Sequence, residues 1–468
     1  MDYLKGLVGG GYEAPALAVD HQRCINLLVE IDKDGKTPAS LYGVPGLARL
    51  MEAAGGAAKA GIVADGVLYM AIGQSFGSVD PAFTSFTPLG SFSGTGRVTL
   101  VQNGLQVLVV DGLSGWVWDI ADATWTQITA PGFVYGATQA TYQDGYGIVA
   151  LPSSQQFGIS GLYDFTAWAA IDFASAEGLP DNVASVISNH RVLHIFGTDT
   201  TELWINSGDS AFPFQRIDGT FYDVGCAAPY TVAVADDSVF WLGNNPQGAK
   251  AIYRMQGQSP LRISTEALEN EIKHYARIDD AYAVGIDIRK HPIYLITFPA
   301  AGKTWIYDAH SGLWSEMLEW VGAEWKQYRL NCFVSAYGKL VVGDYRNGRL
   351  YNLDFDVFNN DGDPIRRVRV SPFVFDKGRL IRHSRMEVFM DPGVGLPTGY
   401  GQEPLLGLRW SDDGYTWSSE IFQSFGRLGE YGKRAIFNRL GAGRNRIYEL
   451  SCDAPVRVVI LGAALTTA

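Results

Sequence analysis

Residues 409–420 read RWSDDGYTWSSE. Ser411, Asp413 and Trp417 follow the order of an Asp-box turn, S-x-D-x-G-x-x-W, in which the carboxylate accepts turn amides and the Trp packs beneath. The Ser-to-Trp spacing is one residue short of that pattern. Such turns close hairpins, even on enzymes that cleave sialic acids. A sugar-cleaving site would also need three arginines around a carboxylate and a Tyr/Glu nucleophile pair, so the stretch is expected to be a hairpin.

Other chemistry is sparse. The chain has no GxSxG, HExxH, Walker loop or CxxC. His190 and His194 lie four residues apart on an expected strand, about 13 Å along one face, which is too far for a shared metal. Gly94-Thr-Gly96 and Gly441-Ala-Gly443 are lone turns without a following helix, so a phosphate cradle is not expected. Cys24, Cys226, Cys332 and Cys452 are widely spaced and read as buried free thiols, which suits a reducing compartment. The expected catalytic, cofactor and metal residues are therefore none.

Basic residues gather in RRVR (366–369), RLIRHSR (379–385) and RLGAGRNR (439–446). Strand alternation sets Arg367 and Arg369 against Arg366 in position, so no continuous stripe forms. A solvated or inter-subunit face is the expectation, with DNA contact as the sharper alternative.

The elements that carry these residues are mostly short strands. Of 468 residues, 47% are apolar and 18% charged, a globular composition. A turn followed by an apolar strand recurs at Gly66, Gly104, Gly145, His190, Ser238, His291 and Gly338, in steps of 38 to 53 residues. Trp118-Asp119 and Tyr307-Asp308 are each followed by a Trp six residues after the Asp, which predicts an Asp-capped turn and a Trp folded back on the preceding strand. Such a repeat is the signature of a β-propeller. Helices are expected only over 44–58 and 264–275; the acids in the first turn of the second, and the Lys and His in its last, suit the helix dipole. Longer strands after residue 354 predict a β-sandwich. The fold class is all-β, a propeller of six or seven blades followed by a smaller β-sandwich-like domain. The expected division is an arm over 1–20, a propeller over 21–355 and a sandwich over 356–468.

The net charge of −12 is uneven. Residues 362–468 hold 15 Lys+Arg against 11 Asp+Glu, and the remainder 22 against 38. An acidic body argues against a broad DNA-gripping surface, because affinity for DNA comes mainly from phosphate neutralisation. The N-terminus lacks a cationic region followed by an apolar one, so no secretory signal is expected. The late apolar run 458–465 is too short to span a bilayer.

Four stretches carry a resemblance: residues 23–50, 160–219, 303–316 with 343–354, and 434–463. Together they resemble the packaged-DNA stabilisation proteins of short-tailed phages, also called tail accessory factors or tail hub proteins. The resemblance runs from about residue 20 to the C-terminus, and the shortened turn at 411–417 is its one departure. It implies a structural virion protein made in the host cytoplasm, a homo-oligomeric ring, commonly a hexamer, below the portal and adaptor. Such a ring seals the channel and retains packaged double-stranded DNA. Its further partners would be needle, nozzle or receptor-binding tail proteins. It implies no enzyme activity and no cofactor. The alternative function is a carbohydrate-binding or hydrolysing propeller for host-surface recognition. A cellular propeller acting as an interaction scaffold is a third reading.

Overall fold

Tight hairpins set the register of the sheets. In the computed structural model, Asp144 and Gly145 have φ of 50° and 96° and join Ala140–Gln143 to Tyr146–Ala150. Two consecutive positive φ values make the turn whose twist matches that of the strands it joins, and Asp-Gly supplies them at low steric cost. Each of the seven anchors seen in the sequence lies at or just before the second strand of one sheet. The structure describes all residues except 1, 15, 18, 32–37, 134, 152, 170–172, 176–180, 245–247, 289–290 and 468. Parts of the 23–50 and 160–219 resemblance stretches, and of the expected arm, lie outside the described residues.

The chain is a β-propeller followed by a β-sandwich. Among the described residues, seven blades lie within 58–91, 99–127, 140–175, 183–222, 225–262, 282–316 and 330–354. Their inner strands follow one another around an axis, and Ala58–Ala64 of blade 1 packs against Leu330–Ala336 of blade 7. The central strands are apolar on both sides because each blade is covered by two neighbours. In Gln106–Val110, Val107 and Val109 pack toward blade 1, while Leu108 and Val110 pack toward blade 3. This period of two assigns alternate residues to alternate seams.

The ring is closed by an unexpected strand. Residues 44–58 were expected to be helical from their Ala and Leu content. Instead Gly46–Ala53 forms the outer strand of blade 7, pairing antiparallel with Gly348–Asp354. Leu47, Met51 and Ala53 are buried while Arg49 and Glu52 are exposed, so long-range pairing overrides the local preference. The second expected helix is present as Glu266–Lys273, with the Thr265 side chain accepting from the Leu268 amide at 3.3 Å.

The sandwich draws on both ends of the chain. One sheet contains Ile381–Met390, Val459–Thr467, Ala39–Gly43 and Leu27–Ile31, with Asp2–Tyr3 paired to Val459–Thr467. The other contains Cys24–Ile25, Arg367–Val370, Asn445–Cys452, Leu405–Ser411 and Ile421–Ser424. Leu4, Leu7, Leu27, Val29 and Leu41 lie between the sheets with Met386, Leu406 and Tyr448. Strand pairing thus places Asp2–Tyr3, Cys24–Ile25, Leu27–Ile31 and Ala39–Gly43 in the sandwich sheets. These apolar residues complete a core that the C-terminal strands alone would leave open.

Candidate assembly interface

The residues that join the two domains include a buried ionic cluster. Leu313–Glu316, the outer strand of blade 6, makes a parallel bridge from Glu316 to Ile25. Through Cys24–Ile25 the blade 6 sheet continues without a break into one sandwich sheet. Asn26 fixes the crossing. Its amide nitrogen donates to the Leu318 carbonyl at 2.8 Å and the Arg366 carbonyl at 2.7 Å, and its side-chain oxygen accepts from the Leu318 amide at 2.9 Å. Beside it, Arg23 grips both carboxylate oxygens of Glu316, and Lys303 reaches the same group at 3.1 Å. Burial works against charge on Glu316, but Arg23 and Lys303 outweigh it and hold its carboxyl down at about 2. A second ionic cluster ties Arg329 to Glu319 and to Asp363, and Arg346 to Asp344.

The clustered arginines divide into interior and surface groups. Arg367 and Arg369 are 2% and 0% exposed, so the expectation of a solvated or inter-subunit face fails for them. Arg369 donates to the carbonyls of Gly6, Leu7, Gly10 and Arg23 and to the Gln22 side chain, pinning the N-terminal segment into the sandwich. Arg367 donates to the carbonyls of Ile365 and Ala454. Arg446 is buried against Asp412 and the Leu440 carbonyl. The N-terminal carbonyls account for the burial of Arg369, and local strand alternation cannot signal it. Arg379, Arg382, Arg439 and Arg444 are exposed at one end of the sandwich.

The expected hairpin at 411–417 is formed. Asp413 accepts from the amides of Tyr415 at 2.8 Å and Thr416 at 2.7 Å, and Ser411 accepts from the Gly414 amide at 2.9 Å. Those donors hold the Asp413 carboxyl well below the usual carboxylate range. Trp417 lies under the Arg409 guanidinium and against His21. Ser411 and Asp413 are used to close the hairpin, and Asp412 pairs with Arg446. His190 is a turn residue with φ of 50°, whereas His194 is buried in the next strand. Burial pushes the His194 imidazole down to about 4. Among the described residues, no group of three or more His, Cys, Asp or Glu could hold a metal ion. The four cysteines are free and buried. No helix is long and apolar enough to cross a membrane among the described residues.

The propeller axis is crossed by side chains. Arg97, just before blade 2, stacks on Tyr282 of blade 6 with its guanidinium carbon 3.7 Å from the ring centroid. It also donates to the side chain and carbonyl of Asn331 in blade 7, at 2.8 and 2.7 Å. Tyr230 of blade 5 lies on the same guanidinium. Arg97 and residues of blades 5, 6 and 7 therefore meet inside the ring.

The family model described as Bacteriophage P22 Gp10, beta-propeller, matches residues 10–358, and that described as Bacteriophage P22 Gp10, beta-sandwich, matches residues 366–468. No curated protein matches the chain at a significant level. The chain is similar to the extracellular domain of the putative one component system BT4673 from B. thetaiotaomicron, at 9% identity and TM-score 0.46, over 82% of this chain and 48% of that one. It spans about half the length of that structure. It is also similar to the N-terminal domain of Nup159, at 12% identity and TM-score 0.40, over 70% and 97% of the two chains. Likewise it is similar to the Neurospora crassa Pan2 WD40 domain, at 10% identity and TM-score 0.42, over 67% and 98%. With both of its domains matched in order, the chain belongs to the Bacteriophage P22 Gp10 family of phage stabilisation proteins.

Proposed function

We propose that the chain is a ring-forming hub subunit in the tail of a short-tailed phage. Copies of it, six in the complete ring, sit below the portal and adaptor and seal the channel against loss of packaged DNA. Needle, nozzle or receptor-binding proteins join the far side. The chain is made in the host cytoplasm, acts without catalysis and takes no cofactor.

The observation that carries this reading is the joint. A sheet that continues from blade 6 into the sandwich, locked by the Arg23–Glu316–Lys303 cluster, makes the two domains one stiff body. A ring subunit that bears the pressure of a packed genome needs that stiffness. The crossed propeller axis supports a DNA path between copies rather than through one. The acidic body supports passage without adhesion, since it repels phosphate.

The test is to assemble particles in its absence. Filled heads that lack the chain should lose their DNA to added nuclease, and purified chain added before the nuclease should protect it. Heads that retain DNA equally with and without the chain would overturn the reading.

A further inference from the structure

The loop between the two sheets at one end of the sandwich is built like half of an interface. Val374–Phe375 and Ile381–Met390 are joined by a turn in which the Arg379 amide donates to the Asp376 carbonyl. At its tip Phe375 is 65% exposed and Leu380 63%. Around these two apolar residues stand Lys377, Arg379, Arg382, Arg439 and Arg444, all exposed. The second basic segment joins the first through the Arg382–Ala442 pairing and the bond from Arg444 to the Gly378 carbonyl. Among the described residues, Asp376 is the one acid paired with this set, 3.9 Å from Arg379. Apolar tips ringed by arginine have the make-up of a protein interface, whose centre is apolar and arginine-rich. A surface that only tracks phosphates has no use for an exposed Phe and Leu.

A matching surface exists on the propeller. Residues 98–190 contain eight Asp and Glu and no Lys or Arg. At the hairpin-turn end of blades 2 and 3, Leu105, Leu162 and Tyr163 are exposed. They are drawn together by bonds from Asn103 to the Tyr163 carbonyl and from the Tyr163 amide to the Gly145 carbonyl. Asp119, Asp122, Asp144 and Asp164 belong to the turns around them. Arg191, on blade 4, pairs with Asp144 at that rim.

We infer that the 375–380 loop of one copy docks on the blade 2–3 turn surface of a second copy, apolar centre to apolar centre and arginine rim to carboxylate rim. The inference rests on the ring reading above and names the contact by which the ring is built. Because two different surfaces meet, the contact is head-to-tail, the kind that closes into a ring when the rotation permits.

Cysteine pairing tests it, since the four native thiols are buried. The double variant Leu162→Cys with Leu380→Cys, alone and mixed with portal–adaptor complexes, is oxidised with diamide. A ladder of covalent multimers is expected, while either single variant gives none beyond dimer. In parallel, Arg379→Glu with Arg382→Glu should lower the assembled fraction about tenfold, and adding Asp122→Arg should recover part of it. These positions are exposed, and circular dichroism verifies the fold. If the parent chain forms rings while the double-cysteine variant gives no ladder and the charge variants assemble normally, the docking is overturned and the ring reading stands. If the parent forms no ring on the adaptor, the ring reading falls and the docking with it. If the Arg379/Arg382 variant assembles normally but loses duplex DNA in an anisotropy titration, the surface is a nucleic-acid contact and the inference is overturned.

Discussion

Arg23 and Glu316, 293 residues apart in sequence, form a two-pronged ion pair of 2.8 and 2.7 Å where the sandwich meets blade 6. Removing one partner leaves the other buried without its countercharge. Glu316→Ala should therefore cost about 3–5 kcal/mol, the range for breaking a buried pair. Differential scanning calorimetry should show the parent's single transition split in two as the domains uncouple.

Arg369 makes its contacts to five residues of the N-terminal segment, all at 3.2 Å or less. Arg369→Met keeps most of the packing volume and removes every donor. Hydrogen exchange across residues 2–13 should then rise to near that of exposed loops, and limited proteolysis should cut there first. The blades should keep the protection of the parent, because their seams do not use this segment.

Acid should weaken the fold in two separate windows. Burial, and then Arg446, hold the His383 imidazole down at about 4 from the ordinary 6.5. A depressed histidine favours the neutral form in the folded chain, so its stability is complete above 6.5 and declines as pH falls toward 4. Burial places His194 in the same window. Glu316, with its carboxyl at about 2 against an ordinary 4.5, loses its contribution only between those values. Thermal melts should thus drop between pH 6.5 and 4, and His383→Phe should flatten part of that drop.

Arg97 joins the blades at the propeller axis through aromatic contacts with Tyr282 and Tyr230 and two charged hydrogen bonds. Arg97→Ala should cost about 2–4 kcal/mol, read from urea unfolding. Ring assembly should be unchanged, because the residue lies inside one propeller rather than between copies.

What the sequence disclosed follows from where each instruction is stored. A tight hairpin is a local event, so Gly66, Gly104 and Gly145 marked their blades from sequence alone. The Trp118/Trp125 and Tyr307/Trp314 pairs were also legible, because each Asp-capped turn sets its own cross-strand partners. Gly46–Ala53 was not legible, because its partner lies some 300 residues away and its Ala and Leu content favours a helix locally. Nor could RRVR disclose that Arg367 and Arg369 are interior. Their burial depends on carbonyls from residues 6–23 and on Ala454. The exposed Arg379, Arg382, Arg439 and Arg444 were visible within basic clusters, but their union at one end of the sandwich needed the pairing of both segments.

The most direct measurement is the mass of the purified chain before and after mixing with portal–adaptor complexes, by light scattering, with cryo-electron microscopy of the product. The account predicts a closed ring of identical copies on the adaptor, with DNA space between the copies and none through any propeller. A chain that leaves the adaptor's mass unchanged would contradict it.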